Sequence, residues 1–141
     1  MSSDMTEGLS FEVALDLPFD AAVERVTEAL KVEGFGVLSR ADVHTAFKEK
    51  LDKEFRPYTI LGACNPALAY KALQSRPDVG MLLPCNVTVE SPTATTSIVR
   101  IINPGVMMQF GDFGEDEALR EVGADAEARL KRVAKDLRES A

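Results

Sequence analysis

A chain of 141 residues with 45% hydrophobic content is the size of one ordinary domain and can bury a core without disulfide or metal staples. Its net charge of −7 argues against binding a phosphate backbone, which wants clustered Lys and Arg, so no nucleic acid is an expected partner. No apolar run approaches the roughly 20 residues that span a bilayer, so no membrane partner is expected either.

Residues 1–8 carry Asp4 and Glu7 and lack the apolar stretch of a signal peptide. They are expected to be a flexible N-terminus ahead of a single α+β domain over residues 9–141, placed in the cytoplasm where thiols stay reduced. Leu9 to Leu17 then alternates, with Phe11, Val13, Leu15 and Leu17 on one face, which predicts a strand with one covered side. Pro18 interrupts it. Asp20 to Glu33 predicts a helix whose stripe is Ala22, Val23, Val26 and Leu30, stopped at Gly34 where a left-handed residue is cheapest. Phe35 to Ser39 reads as a second strand.

Asp42 is placed to cap a helix running to Leu51, with Val43, Phe47 and Leu51 as its inward stripe. Phe55 to Cys64 predicts a third strand. Asn65-Pro66 supplies an N-cap and an N1 proline for a helix through Leu73. After a turn at Arg76 to Gly80, Met81 to Glu90 and Thr95 to Ile102 predict a hairpin of two further strands. Val106 to Gly114 reads as an oddly apolar loop, and Glu115 to Arg138 as a long charged helix. The strands are polar on their second face, which argues against a doubly wound sheet. The fold expected is α+β: a two-layer sandwich of a five-stranded, mainly antiparallel sheet with helices on one face.

The chain has two cysteines, and they stand in matching surroundings: Gly62-Ala63-Cys64-Asn65-Pro66 and Leu83-Pro84-Cys85-Asn86-Val87. They mark the candidate site without naming a reaction. Cys64 sits just before a helix N-terminus, where the backbone favours a thiolate; equally, it is a small residue suited to a tight strand-to-helix corner. Strand parity with Val87 and Val89 points Cys85 into the core. Both cysteines are expected in the same region of the sheet without a disulfide, with Asn65 and Asn86 bonded through their side chains to nearby backbone.

Two cysteines 21 positions apart and one histidine do not make a zinc site. Two thiolates suit a soft ion such as copper(I), with Met107 or Met108 as a further donor, although nothing in the sequence requires a cofactor. Arg56 and Tyr58 share strand parity with Cys64, so they are candidates for holding an anion or small ligand; Arg56 is equally suited to pairing with a surface carboxylate. His44 lacks any sequence partner for acid–base work. Three functions follow: a small-molecule or soft-metal binding module around Cys64 and Cys85, a thiol redox or sulfur-handling enzyme with Cys64 as nucleophile and Cys85 resolving, or a structural partner-binding domain with packed cysteines.

One resemblance rests on Gly34-Phe35-Gly36-Val37-Leu38, Phe47-Lys48-Glu49-Lys50-Leu51, Phe55-Arg56-Pro57-Tyr58 and the two Cys-Asn motifs with their flanking residues. Over residues 9–137 the chain resembles the prokaryotic family catalogued as domain of unknown function 302. The resemblance implies a TATA-binding-protein-like α+β fold and a homodimer, and it carries no activity. The apolar segment Val106 to Phe113 is a further reason to expect self-association, because it would otherwise leave an exposed patch.

Overall fold

Strict alternation builds the first strand, in which Val13 and Leu15 are buried while Glu12 and Ala14 are exposed. The computed structural model describes residues 8–139, so nearly all of the expected N-terminal segment lies outside the described residues. The chain runs β1 (Ser10–Leu15), α1 (Phe19–Val32), β2 (Gly36–Asp42), α2 (Val43–Leu51), β3 (Tyr58–Cys64), α3 (Pro66–Ser75) and a 3-10 segment at Pro77–Leu82. It continues through β4 (Cys85–Thr93), β5 (Thr96–Ile102), α4 (Pro104–Met107), a second 3-10 segment at Gly111–Glu115 and α5 (Glu117–Glu139). The strand order is β1-β5-β4-β3-β2, and every neighbouring pair is antiparallel. This is the α+β sandwich expected from the sequence.

One face of the sheet presents Val13, Leu15, Leu61, Ala63, Val87, Val89, Val99 and Ile101. Against it pack Val23, Val26 and Leu30 of α1 and Leu130, Val133 and Leu137 of α5. The other face carries an ion-pair row. Arg56 and Arg100 both bind the carboxylate of Glu90, and Arg100 also binds Glu12 across β5 and β1. A smaller second core joins Ala72 and Val79 to Met108, Leu119 and Val122. No helix among the described residues is long and apolar enough to cross a membrane.

Glu90 makes the outer face pH-sensitive. Desolvation pushes its carboxyl up, but hydrogen bonds from Arg100 and Arg56 outweigh that and leave it below its ordinary 4.5. Its contribution to stability is therefore complete above that value and is lost as the pH falls through the lower folded-state value. Denaturation followed between about pH 6 and pH 3 is expected to show a loss of stability that Glu90→Gln reduces. An identical acid profile in the variant refutes the assignment.

Several sequence expectations are corrected by tertiary contacts. Met81 to Pro84 is not strand: residues 77–82 form a 3-10 segment, Met81 is 87% exposed, and β4 starts at Cys85. The apolar run Met81-Leu82-Leu83 suits either state, and the turn at Pro77 holds the tighter one. Phe55 and Arg56 precede β3 rather than starting it. Helix α2 buries none of its expected stripe, and Leu51 is exposed. Asp42 stands at its N-cap without a side-chain cap bond, because its carboxylate instead accepts from Arg40 Nε at 2.9 Å. The apolar segment after Val106 is not loose. Met108 is buried, Met107 and Phe113 pack against the second core, and the Arg76 guanidinium lies 4.7 Å over the Phe113 ring. Val106 and Phe110 remain exposed.

Candidate functional site

The site is assembled from chain reversals, each with a local cause. At the end of α1, Gly34 adopts φ +86 and its N–H donates to Lys31 O, while Phe35 N–H donates to Leu30 O. This paired closure places a left-handed glycine after the helix and turns the following apolar residue inward. Phe35 is accordingly buried. Any Cβ at Gly34 would also lie 2.9 Å from the Asn65 amide nitrogen, so glycine is required there twice over.

Asn65 is buried, and its Oδ1 accepts from Leu68 N–H at 3.2 Å, capping α3 with Pro66 in the first turn. Asn103-Pro104 repeats the device at α4, where Asn103 Oδ1 accepts from Gly105 N–H at 2.9 Å. The second cysteine motif enters β4 through a cis Leu83–Pro84 bond. Pro84 packs against the strand beside it: a Cβ on Gly62 would lie 2.7 Å from Pro84 Cγ and 2.3 Å from Ser39 Oγ. Gly62 is thus the point where β2, β3 and the Leu83–Pro84 segment close on one another.

These reversals surround one small cavity of about 30 Å³. Ala63, Cys64 and Cys85 line it from the sheet, together with Phe35 and Pro84. Leu68 and Ala72 of α3, Met108 after α4 and Val122 and Ala126 of α5 complete it. Ala63 pairs directly with Cys85 across β3 and β4, so Cys64 is one residue away from the second cysteine's cross-strand partner. Both cysteines are free. Cys85 is buried, as its parity requires, and Cys64 is half-buried.

Neither thiol is activated. Burial pushes Cys64 above its ordinary value. Burial, and then the neighbouring Cys64, push Cys85 up to about 11. Its place before a helix N-terminus does not bring Cys64 below its ordinary value; burial is the cause that acts on it. At neutral pH the cavity therefore holds two protonated thiols, and a volume of about 30 Å³ admits a body no larger than one or two waters.

The other sequence candidates lie elsewhere. Tyr58 begins β3 and Cys64 ends it, so about 20 Å of strand separates them. The Tyr58 N–H donates to His44 Nδ1 at 3.0 Å, and the His44 ring packs edge-on against Phe19. Arg56 is committed to Glu90 on the outer sheet face. Asn86 is exposed and makes no side-chain hydrogen bond among the described residues. It lines an outer groove of about 250 Å³ together with Met81, Ile102 and Met107. Leu83 and Pro84 line both that groove and the cavity, and so form the wall between them. Among the described residues no group of three or more His, Cys, Asp or Glu is placed to hold a metal ion.

Sequence reasoning did not find Phe35, Pro84, Val122 or Ala126 at this site. A signal for Phe35 was present: it is the first apolar residue after a glycine helix stop, the position such a closure turns inward. Val122 and Ala126 carry only the ordinary stripe of a helix, which tells that they are covered and not by what.

A family model described as "Domain of unknown function DUF302" matches residues 11–137. A crystal structure of an uncharacterized conserved DUF302 protein from Bacillus stearothermophilus is 32% identical to this chain. The match covers 92% of this chain and 98% of that one, with a TM-score of 0.78. No curated protein matches the chain.

Proposed function

Because the chain belongs to the DUF302 family, whose description carries no activity, we propose a function from the site alone: a binding module for a very small ligand, seated in the cavity where Cys64 and Cys85 meet. The observation that supports it is that both cysteine motifs line one small, partly open pocket of about 30 Å³. Pockets for drug-sized metabolites run to about 300–1,000 Å³, so the ligand is an ion or a molecule of a few atoms. The cytoplasm, a reducing compartment, is the location that suits two free thiols in this role.

The thiol redox reading is the weaker one. A nucleophilic cysteine needs a low pKa and access, whereas here burial raises both thiols. Raising Cys85 from 9.0 to about 11 makes its labelling by iodoacetamide at pH 7 about 100-fold slower than that of an unperturbed thiol. The rate is expected to climb about tenfold per pH unit towards pH 11. Fast labelling of either cysteine at neutral pH would restore the redox enzyme. The binding reading is tested by native mass spectrometry and elemental analysis of freshly purified protein. A bound species that is lost when the cysteines are alkylated supports it. Chain mass alone, with slow labelling unchanged by any added small ligand, leaves the cysteines as packing residues.

A further inference from the structure

We propose that the groove where the first turns of α1 and α2 meet is a binding site for a zwitterionic α-amino acid with an apolar side chain. The groove holds about 600 Å³, and Asp20 of α1, Arg40 and Asp42 of β2, His44 of α2 and Ser91 of β4 line it. That volume lies within the range of about 300–1,000 Å³ that suits a metabolite. The groove shares no lining residue with the cysteine pocket, so this site stands apart from the one proposed above.

The polar groups of the groove have bonding capacity of both signs left over. Arg40 donates through Nε to Asp42 at 2.9 Å, and its terminal nitrogens have no partner among the described residues. That bond holds the Asp42 carboxyl below its ordinary 3.8, so the pair presents a cation beside an anion at neutral pH. An α-amino acid carries its ammonium and carboxylate on one carbon, and its head can lie along such a pair with each charge against its opposite. His44 adds a donor. Its Nδ1 lies 3.0 Å from both the N–H and the carbonyl oxygen of Tyr58. The N–H is the costlier of those two groups to leave unpaired, so the neutral ring accepts there and carries its proton on Nε2, which has no partner among the described residues.

Ser91 and Asp20 add acceptors. Ser97 Oγ donates its one proton to Leu17 O at 2.8 Å, so in the 2.7 Å contact between the two serines it is Ser91 that donates. Ser91 Oγ therefore keeps its lone pairs for an ammonium. Asp20, in the first turn of α1, has no partner among the described residues. Other ligand classes fit less well. A simple anion would meet Asp20 and Asp42, and a simple organic cation would meet Arg40. No group of three or more His, Cys, Asp or Glu among the described residues is placed to hold a metal ion. Phe19, whose ring stands edge-on to His44 at 5.5 Å, lines the same groove with Pro18 and Pro57 and offers apolar surface to the ligand's side chain.

The test is an NMR titration of the isotopically labelled full chain with L-phenylalanine, L-phenylalaninamide and N-acetyl-L-phenylalanine. The free amino acid is expected to saturate one site and to shift the backbone resonances of Asp20, Asp42, His44 and Ser91. The amide lacks the carboxylate and the N-acetyl derivative lacks the ammonium, so each should bind about tenfold more weakly or worse. Arg40→Gln, at an exposed side chain, should weaken L-phenylalanine about tenfold and leave L-phenylalaninamide within about twofold, with an unchanged circular-dichroism spectrum. Asp20→Asn should narrow the gap between L-phenylalanine and its N-acetyl derivative. The proposal is overturned if L-phenylalanine gives no saturable shift up to about 10 mM. It is equally overturned if a derivative lacking one charge binds as tightly as the amino acid, or if Arg40→Gln protein keeps the wild-type affinity. None of these results bears on the cysteine pocket.

Discussion

Leu130→Ala is expected to lower stability by ~2–5 kcal/mol, a large fraction of what holds a domain of this size together. Leu130 is fully buried on α5, where the sheet face carrying Leu61, Val87 and Val99 meets the long helix. Truncating it removes apolar contact on several sides, and a rigid sheet backed by a 23-residue helix has little freedom to collapse into the void. The measurement is urea denaturation with the slope unchanged and the midpoint lowered. Leu51→Ala is the matched control. Leu51 belongs to an equally apolar helical stripe by sequence, yet it is 62% exposed, so its loss should stay within about 0.5 kcal/mol. A cost at Leu130 no greater than that at Leu51 would refute this account of the core.

Gly62→Ala is expected to cost ~1–3 kcal/mol and to make Cys85 more reactive. The added methyl would sit 2.3 Å from Ser39 Oγ and 2.7 Å from Pro84 Cγ. Serine can rotate away, but the proline ring cannot, because it is fixed to the backbone beside Cys85. Relief of the clash therefore moves Pro84, the wall between the cavity and the outer groove. Faster labelling of Cys85 at fixed pH is the expected readout, alongside the lowered denaturation midpoint. A stable variant with unchanged labelling would show that Gly62 does not set this wall. Gly36→Ala is the control, since a Cβ there meets nothing within 4 Å.

Features decided within a few residues are legible in the amino-acid sequence alone. Alternation in β1, the stripe of α1, the Gly34 stop, the Asn65-Pro66 cap and the inward parity of Cys85 all follow from backbone geometry and side-chain period. The pairing of the two Cys-Asn motifs in one region is legible too, since antiparallel β3 and β4 bring both ends of the intervening α3 segment together. What stays hidden has partners far away in sequence. Arg56 binds Glu90 at 34 residues' distance, and Arg100 binds Glu12 at 88.

Local pattern carries the order of the main strands and helices, the covered face of β1 and the inward parity of Cys85. What covers those faces depends on contacts between residues far apart in the chain. Periodicity shows that Val122 and Ala126 are buried, but the docking of α5 makes them walls of a cysteine cavity. Apolarity alone does not distinguish Met81, which projects into an outer groove, from Met108, which closes the inner one. The direction in which each thiol shifts depends on the same long-range packing. Position before a helix favours a thiolate, while burial opposes it, and the sequence carries only the first of these. The fold supplies the second, and burial raises both Cys64 and Cys85.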